Sequence, residues 1–237
     1  MSTETLFTKE NLDMYLKELA KEFRKRGKGV CAELILVGGA SVIVNYAFRA
    51  SSYDIDAAYE FPTIMKECIH AVADKFSLPN GWLNDDFKRT SSFTPKIVQY
   101  SERYKTFYNV LHVRTVRAEY LVAMKLASGR QYKKDLSDIA GIIAEQMAIG
   151  CPLTLEKIHQ AVCNLYGNWS CISDYAKTLL NEILTCKDLQ TLFIELSETE
   201  ASAKETLQEI VQKYPAMVTK DNVDEVVAAA MEKRKKK

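Results

Sequence analysis

Apolar residues recur at helical spacing near the start of the chain: Leu12, Tyr15, Leu16, Leu19 and Phe23 share one face. Thr8 reads as the N-cap of that helix and Gly27 as its stop. Glu10 stands in the first turn and Arg24-Lys25-Arg26 at the end, where the helix dipole favours each sign of charge. The period then changes. Residues 32–37 form a short apolar run broken by Gly38-Gly39, the pattern of a strand entering a tight turn. A second apolar helix is expected from Ala40 or Ser41 to Phe48, then a polar turn over residues 49–53 and a second strand over residues 54–59. Residues 63–76 return to helical spacing, with Ile64, Cys68, Val72 and Phe76 on one stripe. Residues 110–116 alternate as a half-buried strand, and residues 119–127 and the stretch from Lys133 read as helices parted by Ser128-Gly129.

Beyond Gly150 the pattern is helical only. Thr154 and Ser173 cap two helices, a long Glu- and Lys-rich stretch fills residues 188–214, and a last amphipathic helix carries Val223, Val226, Val227, Ala230 and Met231 before a basic tail expected to fray. The order predicts an α/β (α+β) protein: a mixed central sheet flanked by helices, followed by a C-terminal all-helical region. Two domains are expected, residues 1–148 and residues 149–237, the second packed on the first without a flexible linker.

Composition narrows the class. The chain has 237 residues, 47% hydrophobic and 27% charged, which excludes a disordered protein. A net charge of +1 excludes a global attraction to nucleic acid, so any basic surface must be local. The six cysteines show no CxxC pair and no zinc-type spacing; they read as buried free thiols of a reducing, cytoplasmic compartment. No apolar run approaches a membrane span, and no signal-peptide core is present.

Chemistry concentrates around Asp54-Ile55-Asp56. On a strand the two carboxylates point the same way, about 7 Å apart. Like charges so placed call for a cation, and a hard, oxygen-seeking one such as Mg²⁺ (or Mn²⁺) carrying a nucleotide triphosphate fits best. Gly38-Gly39 leaves backbone amides open to an incoming group, and the helix behind it adds a positive end suited to phosphate. Lys125 falls within a mostly apolar helix. It calls for an anion, either Asp135 or Asp138, which share a face at i and i+3, or a phosphate. Residues 88–117 interleave Lys88, Arg89, Lys96, Arg103, Lys105, Arg114 and Arg117 with tyrosines and Phe107. That mixture suits a nucleic-acid backbone or an NTP, or else a solvated β-hairpin.

Over residues 30–145 the chain resembles the nucleotidyltransferase superfamily with the polymerase-β-like fold, and within it the AbiEii-type branch of toxin–antitoxin and abortive-infection systems. The resemblance rests on three blocks in order: the strand ending in Gly38-Gly39; Arg49, Ser52, Asp54 and Asp56 at Arg-x-x-Ser-x-Asp-x-Asp spacing; and Lys125 followed by Arg130, Lys134, Asp135 and Asp138. It implies a nucleotidyltransferase fold in which Gly38, Gly39 and Ser41 hold the triphosphate. Asp54 and Asp56 would bind the metal, while Arg49 and Ser52 brace the turn or touch phosphate. Lys125, Arg130, Asp135 and Asp138 would position nucleotide or acceptor.

The implied reaction moves an NMP from an NTP to a hydroxyl of RNA, tRNA among them, or of protein, in a toxin silenced by an antitoxin partner. An antibiotic-modifying enzyme is a rival that would need an acidic pocket, and no extra acid cluster is evident. One departure stands out. The strand over residues 110–116, where many members of the superfamily carry a third carboxylate, offers His112 and Arg114. Asp85 or Asp86 could replace it, or the chain could be a non-catalytic binding module.

Overall fold

The protein is described by a computed structural model covering residues 5–130, 132–215, 217–219 and 222–235. In order come α1 (Lys9–Arg26), β1 (Ala32–Leu36), α2 (Gly38–Asn45), β2 (Ile55–Tyr59), α3 (Pro62–Phe76), β3 (Leu83–Asn84), β4 (Ser101–Phe107) and β5 (Leu111–Val116). The helices α4 (Ala118–Ser128), α5 (Asp135–Ala148), α6 (Leu155–Tyr166), α7 (Asp174–Thr185), α8 (Leu189–Lys213) and α9 (Val223–Lys235) follow. This is the expected mixed α/β architecture with a helical C-terminal region.

Thr8 caps α1 in a reciprocal box, its hydroxyl accepting from the Asn11 amide while the Asn11 side chain accepts from the Thr8 amide at 2.9 Å. The five strands lie in the order β3-β2-β1-β5-β4. β1 is central, antiparallel to β2 and parallel to β5. Its period-2 alternation turns Leu34 and Leu36 into the core with Ile55, Ala57, Leu111 and Val113, beneath α1 (Leu12, Leu16, Leu19, Phe23) and α3 (Met65, Cys68, Val72). The alternate set, Glu33, Ile35, Asp56, Ala58, His112 and Arg114, shares the other face by register. β4 and β5 form a hairpin through Tyr108-Asn109, both at positive φ (50° and 57°), with the Val110 amide donating to the Phe107 carbonyl at 3.1 Å. That geometry matches the twist of the flanking strands.

Two boundaries differ from the sequence pattern. β2 begins at Ile55, so Asp54 lies in the bend that enters the strand, and α2 begins at Gly38 and ends at Asn45. The short edge strand β3 falls where only a turn with an anchoring aromatic was expected.

The chain divides into two compact units, residues 1–124 with 164–166, and residues 125–163 with 167–237; the pattern change near residue 150 lies inside the second. In that second unit, Ala203, Val223 and Val227 form a small core joined by Tyr132, Leu207, Val218 and Met231. The Glu- and Lys-rich stretch is one 25-residue helix, α8, capped by Asp188, whose carboxylate accepts from the Thr191 amide at 3.0 Å. All six cysteines are free thiols, but only Cys68 is buried, where burial pushes its thiol up to about 11; Cys31, Cys151 and Cys171 are exposed. The expectation of buried thiols therefore holds for Cys68 alone. Of the exposed three, Cys31 precedes β1, Cys151 follows Gly150 in a connecting segment and Cys171 ends a short 3-10 turn.

Candidate active site

The glycine turn, the arginine and the carboxylates meet within the first unit. Gly38 takes a φ of +53°, which a side chain rarely tolerates, and turns the chain directly from β1 into α2. A Cβ on Gly39 would lie 2.7 Å from both the Arg49 guanidinium and the Ser52 hydroxyl, so only glycine leaves those groups where they are. Arg49 donates from Nε to the Ser51 carbonyl at 3.2 Å and from Nη2 to the Ser52 hydroxyl at 3.4 Å. The Ser52 hydroxyl in turn reaches Asp54 Oδ1 at 3.5 Å. Arg49, Ser52 and Asp54 thus form one chain of contacts laid across Gly39.

This turn is tied down from two sides. Phe7, which no motif singled out, pairs with Ser52 in an isolated antiparallel bridge. Its ring is fully buried and stacks 6.0 Å from that of Trp82. Trp82 donates its indole N–H to the Ile69 carbonyl at 3.1 Å and accepts from the Ile55 amide through its own carbonyl, also at 3.1 Å. Asp56 is locked in register as well, its carbonyl accepting from the Val37 amide at 3.0 Å.

Asp54 is exposed and Asp56 half-buried. Two hard oxygen donors suit Mg²⁺, which commonly takes one or two carboxylates and completes its shell from water and substrate phosphates. Among the described residues there is no group of three or more His, Cys, Asp or Glu placed to hold a metal. Arg114 on β5 is committed elsewhere: its guanidinium donates to the Ser101 hydroxyl at 2.8 Å and the Ser101 carbonyl at 2.6 Å, and pairs with Glu33 at 3.5 Å. The β2–β3 pairing sets Asn84 beside Asp56, while Asp85 pairs with Lys88 at 2.9 Å. Ser41 is fully buried; its hydroxyl accepts from Asn45 at 3.5 Å, and Asn45 accepts from Thr115 at 3.5 Å. Its amide is spent on the Val37 carbonyl at 3.2 Å, so Ser41 joins α2 to the sheet.

In the second unit, Lys125 is only 5% exposed and sits between Asp135 at 3.2 Å and Asp138 at 2.6 Å. Of the two anions the sequence left open, the structure shows the carboxylates. Arg130 adds a bond from Nε to Asp135 at 2.9 Å. Burial pushes the Asp135 carboxyl up, but the Lys125 and Arg130 cations overcome it and hold it at about 2. The amino end of α5, where both aspartates sit, is closed by Glu200 of α8. That carboxylate accepts from the Leu136 amide at 2.7 Å, the Ser137 amide at 3.4 Å and the Ser137 hydroxyl. Glu200 is 3% exposed, and burial raises it to about 7 against the pull of those bonds, with Asp138 adding to the rise. Nothing in the local sequence marks it, since α8 carries glutamates along its length.

With this geometry in place, comparison with protein families finds a match over residues 12–164 to the family described as a nucleotidyltransferase of unknown function, DUF6036. The chain belongs to that family. Searches of curated proteins and of solved structures find no match. The family's segment spans β1 to β5 and the Gly39–Arg49–Ser52–Asp54 contacts, and it identifies the chain as a nucleotidyltransferase at that general level.

The basic, aromatic stretch is partly neutralised. Lys88 pairs with Asp85, Arg89 with Asp86 at 3.9 Å, Lys105 with Asp13 and Arg114 with Glu33. Lys96 donates to the Asn164 carbonyl at 2.9 Å. Asp13 also accepts from the Tyr104 hydroxyl at 2.9 Å, and burial with that bond pushes Tyr104 up to about 12. Among the described residues no helix is long and apolar enough to cross a membrane.

Proposed function

We propose that this protein transfers an NMP from an NTP to an acceptor hydroxyl, with a divalent cation, Mg²⁺ or Mn²⁺, held by Asp54 and Asp56. The observation that carries the reading is the packing of Arg49 and Ser52 across Gly39, leading to Asp54, within a chain of the nucleotidyltransferase family. The acceptor hydroxyl loses its proton to solvent as its oxygen attacks the α-phosphorus; a new P–O bond forms, and the bond from the α-phosphorus to the bridging oxygen breaks to release pyrophosphate. When bound, the cation would stabilise the attacking and leaving oxygens. The amides at the start of α2, at Gly38-Gly39, would meet the triphosphate, and Arg49 holds the bend from which Asp54 projects.

The three ordered blocks that resemble the AbiEii-type branch support a finer reading: a toxin that modifies RNA, tRNA among them, or a protein, and is silenced by an antitoxin. The assay combines the protein, Mg²⁺ and each of the four α-labelled NTPs with total RNA or with protein extract. Label should pass to one of the two, and Asp56→Ala should abolish it. Absence of transfer to every acceptor would sink the reading.

A second reading, a nucleotide-binding protein without catalysis, is favoured by one observation. β5 carries His112 and Arg114 on the face shared with Asp56, and no carboxylate. It predicts NTP binding without label transfer.

A further inference from the structure

Among the described residues, one buried side-chain nitrogen or oxygen has no hydrogen-bond partner: Nε of Arg117. Buried polar atoms are nearly always satisfied, and an exception calls for a reason. Arg117 directly follows β5, and its amide donates to the Tyr100 carbonyl at 3.1 Å, extending the β4–β5 pairing by one step. Its carbonyl accepts from the Tyr120 and Leu121 amides at 3.0 and 2.8 Å, so its backbone is fixed on both sides. The guanidinium lies over two rings, 5.7 Å from the centroid of Tyr100 and 5.0 Å from that of Tyr120. Those rings stack on each other at 4.0 Å and 9°, and the Tyr120 hydroxyl is held by Asn164 at 2.8 Å. Such a platform orients the guanidinium plane without using any of its five donors.

Lys88, Lys105 and Arg114 hold carboxylates at close range, whereas among the described residues Arg117 meets the Glu119 carboxylate at 3.8 Å from Nε, an ion pair too long for a hydrogen bond. The side chain is 41% exposed, so its outer edge is open to a ligand while Glu119 covers Nε. The strand register relates the backbone of Arg117 to the glycine turn. β1 and β5 run parallel with Leu36 opposite Thr115, so the residues just beyond them, Gly38 and Arg117, leave the same carboxyl edge.

We propose that Arg117 is a phosphate-binding residue for the nucleotide, displacing Glu119 to present Nε and one Nη as a bidentate pair to a phosphate oxygen edge. The assignment rests on the nucleotidyltransferase reading and adds to it a cation at the sheet edge.

The test is calorimetric binding of Mg²⁺ with α,β-methylene analogues of the four NTPs, which bind without reacting. Arg117→Ala should weaken binding about 10- to 100-fold, as loss of charged hydrogen bonds does, with its melting temperature recorded alongside. Arg117→Lys, which keeps the charge but not the fork, should fall between Ala and wild type and serves if the Ala variant does not fold. Glu119→Gln should bind more tightly than wild type. Wild-type binding matched by either Arg117 variant, or weakened binding by Glu119→Gln, would overturn the assignment alone. If the wild type binds none of the analogues, the nucleotidyl reading falls and the assignment falls with it.

Discussion

Phe7 and Ser52 exchange both of their backbone hydrogen bonds, Phe7 N–H to the Ser52 carbonyl at 2.8 Å and Ser52 N–H to the Phe7 carbonyl at 2.9 Å. A residue just before the first helix therefore sets the height of the bend that presents Asp54. The Phe7 ring secures the bridge by packing between Tyr15 and Trp82. Phe7→Ala should cost about 3–5 kcal/mol in stability, as expected of a fully buried ring. Urea denaturation would measure it. A loss under about 1 kcal/mol would show that the bridge holds without the ring.

Gly39→Ala bears on both fold and site. The added methyl meets the ends of two side chains, Arg49 and Ser52, rather than backbone. Arg49 can swing aside, but Ser52 is buried with its backbone bonded to Phe7 and can only rotate its hydroxyl, so stability should fall by about 1–3 kcal/mol. The contacts across Gly39 would be lost, and binding of an NTP analogue should weaken about tenfold. Unchanged binding with unchanged stability would mean that Arg49 and Ser52 do not serve the nucleotide.

Lys125→Ala leaves Asp135 and Asp138 buried without their shared cation. Removing one partner of a buried ion pair costs about 3–5 kcal/mol, most of it the penalty of the stranded charge. Denaturation of the variant should show a loss of that size, and adding Asp138→Asn should recover part of it. A Lys125→Ala protein as stable as wild type would show that the cation is not needed for the fold.

Glu200 and Asp135 predict opposite pH trends. Glu200 is raised from 4.5 to about 7 in the folded protein, so its contribution is complete below pH 4.5 and lost as pH rises through about 7. The change has an upper bound of about 3 kcal/mol, since a tenfold change in proton affinity is worth about 1.4 kcal/mol. Asp135 is lowered from 3.8 to about 2, so its contribution is present above pH 3.8 and lost as pH falls toward 2. Stability measured from pH 5 to pH 8 should therefore decline in the wild type and decline less in Glu200→Gln. Parallel curves would exclude Glu200 as the titrating group.

Much of this was legible in local pattern. The capping residues Thr8, Thr154 and Ser173 each accept the expected backbone amide, because an N-cap needs only its own next turn. The strand before Gly38-Gly39 was equally clear, since alternation and a glycine break are local signals. What stayed hidden depends on partners far away in the chain. β3 has two residues and no period to read; only pairing with β2 makes it a strand. Lys125 carried two readings, and its ion pairs with Asp135 and Asp138 depend on where α5 begins. The basic run read equally as a ligand surface or a solvated hairpin because its counter-charges, Asp13 and Glu33, come from α1 and β1. Phe7 and Glu200 carry no local signature at all.

The carboxylate of Glu200 that closes α5 has a consequence for where this protein can be cut. The family's shared segment ends at residue 164, before α8 begins. A fragment ending there would keep the sheet, the glycine turn, Asp54 and Asp56. It would leave the Leu136 and Ser137 amides without their acceptor, at the turn that carries Asp135 and Asp138. The boundary of the inherited motif is thus not a boundary of structural self-sufficiency, and the poorly marked C-terminal helices complete a turn that the motif itself begins.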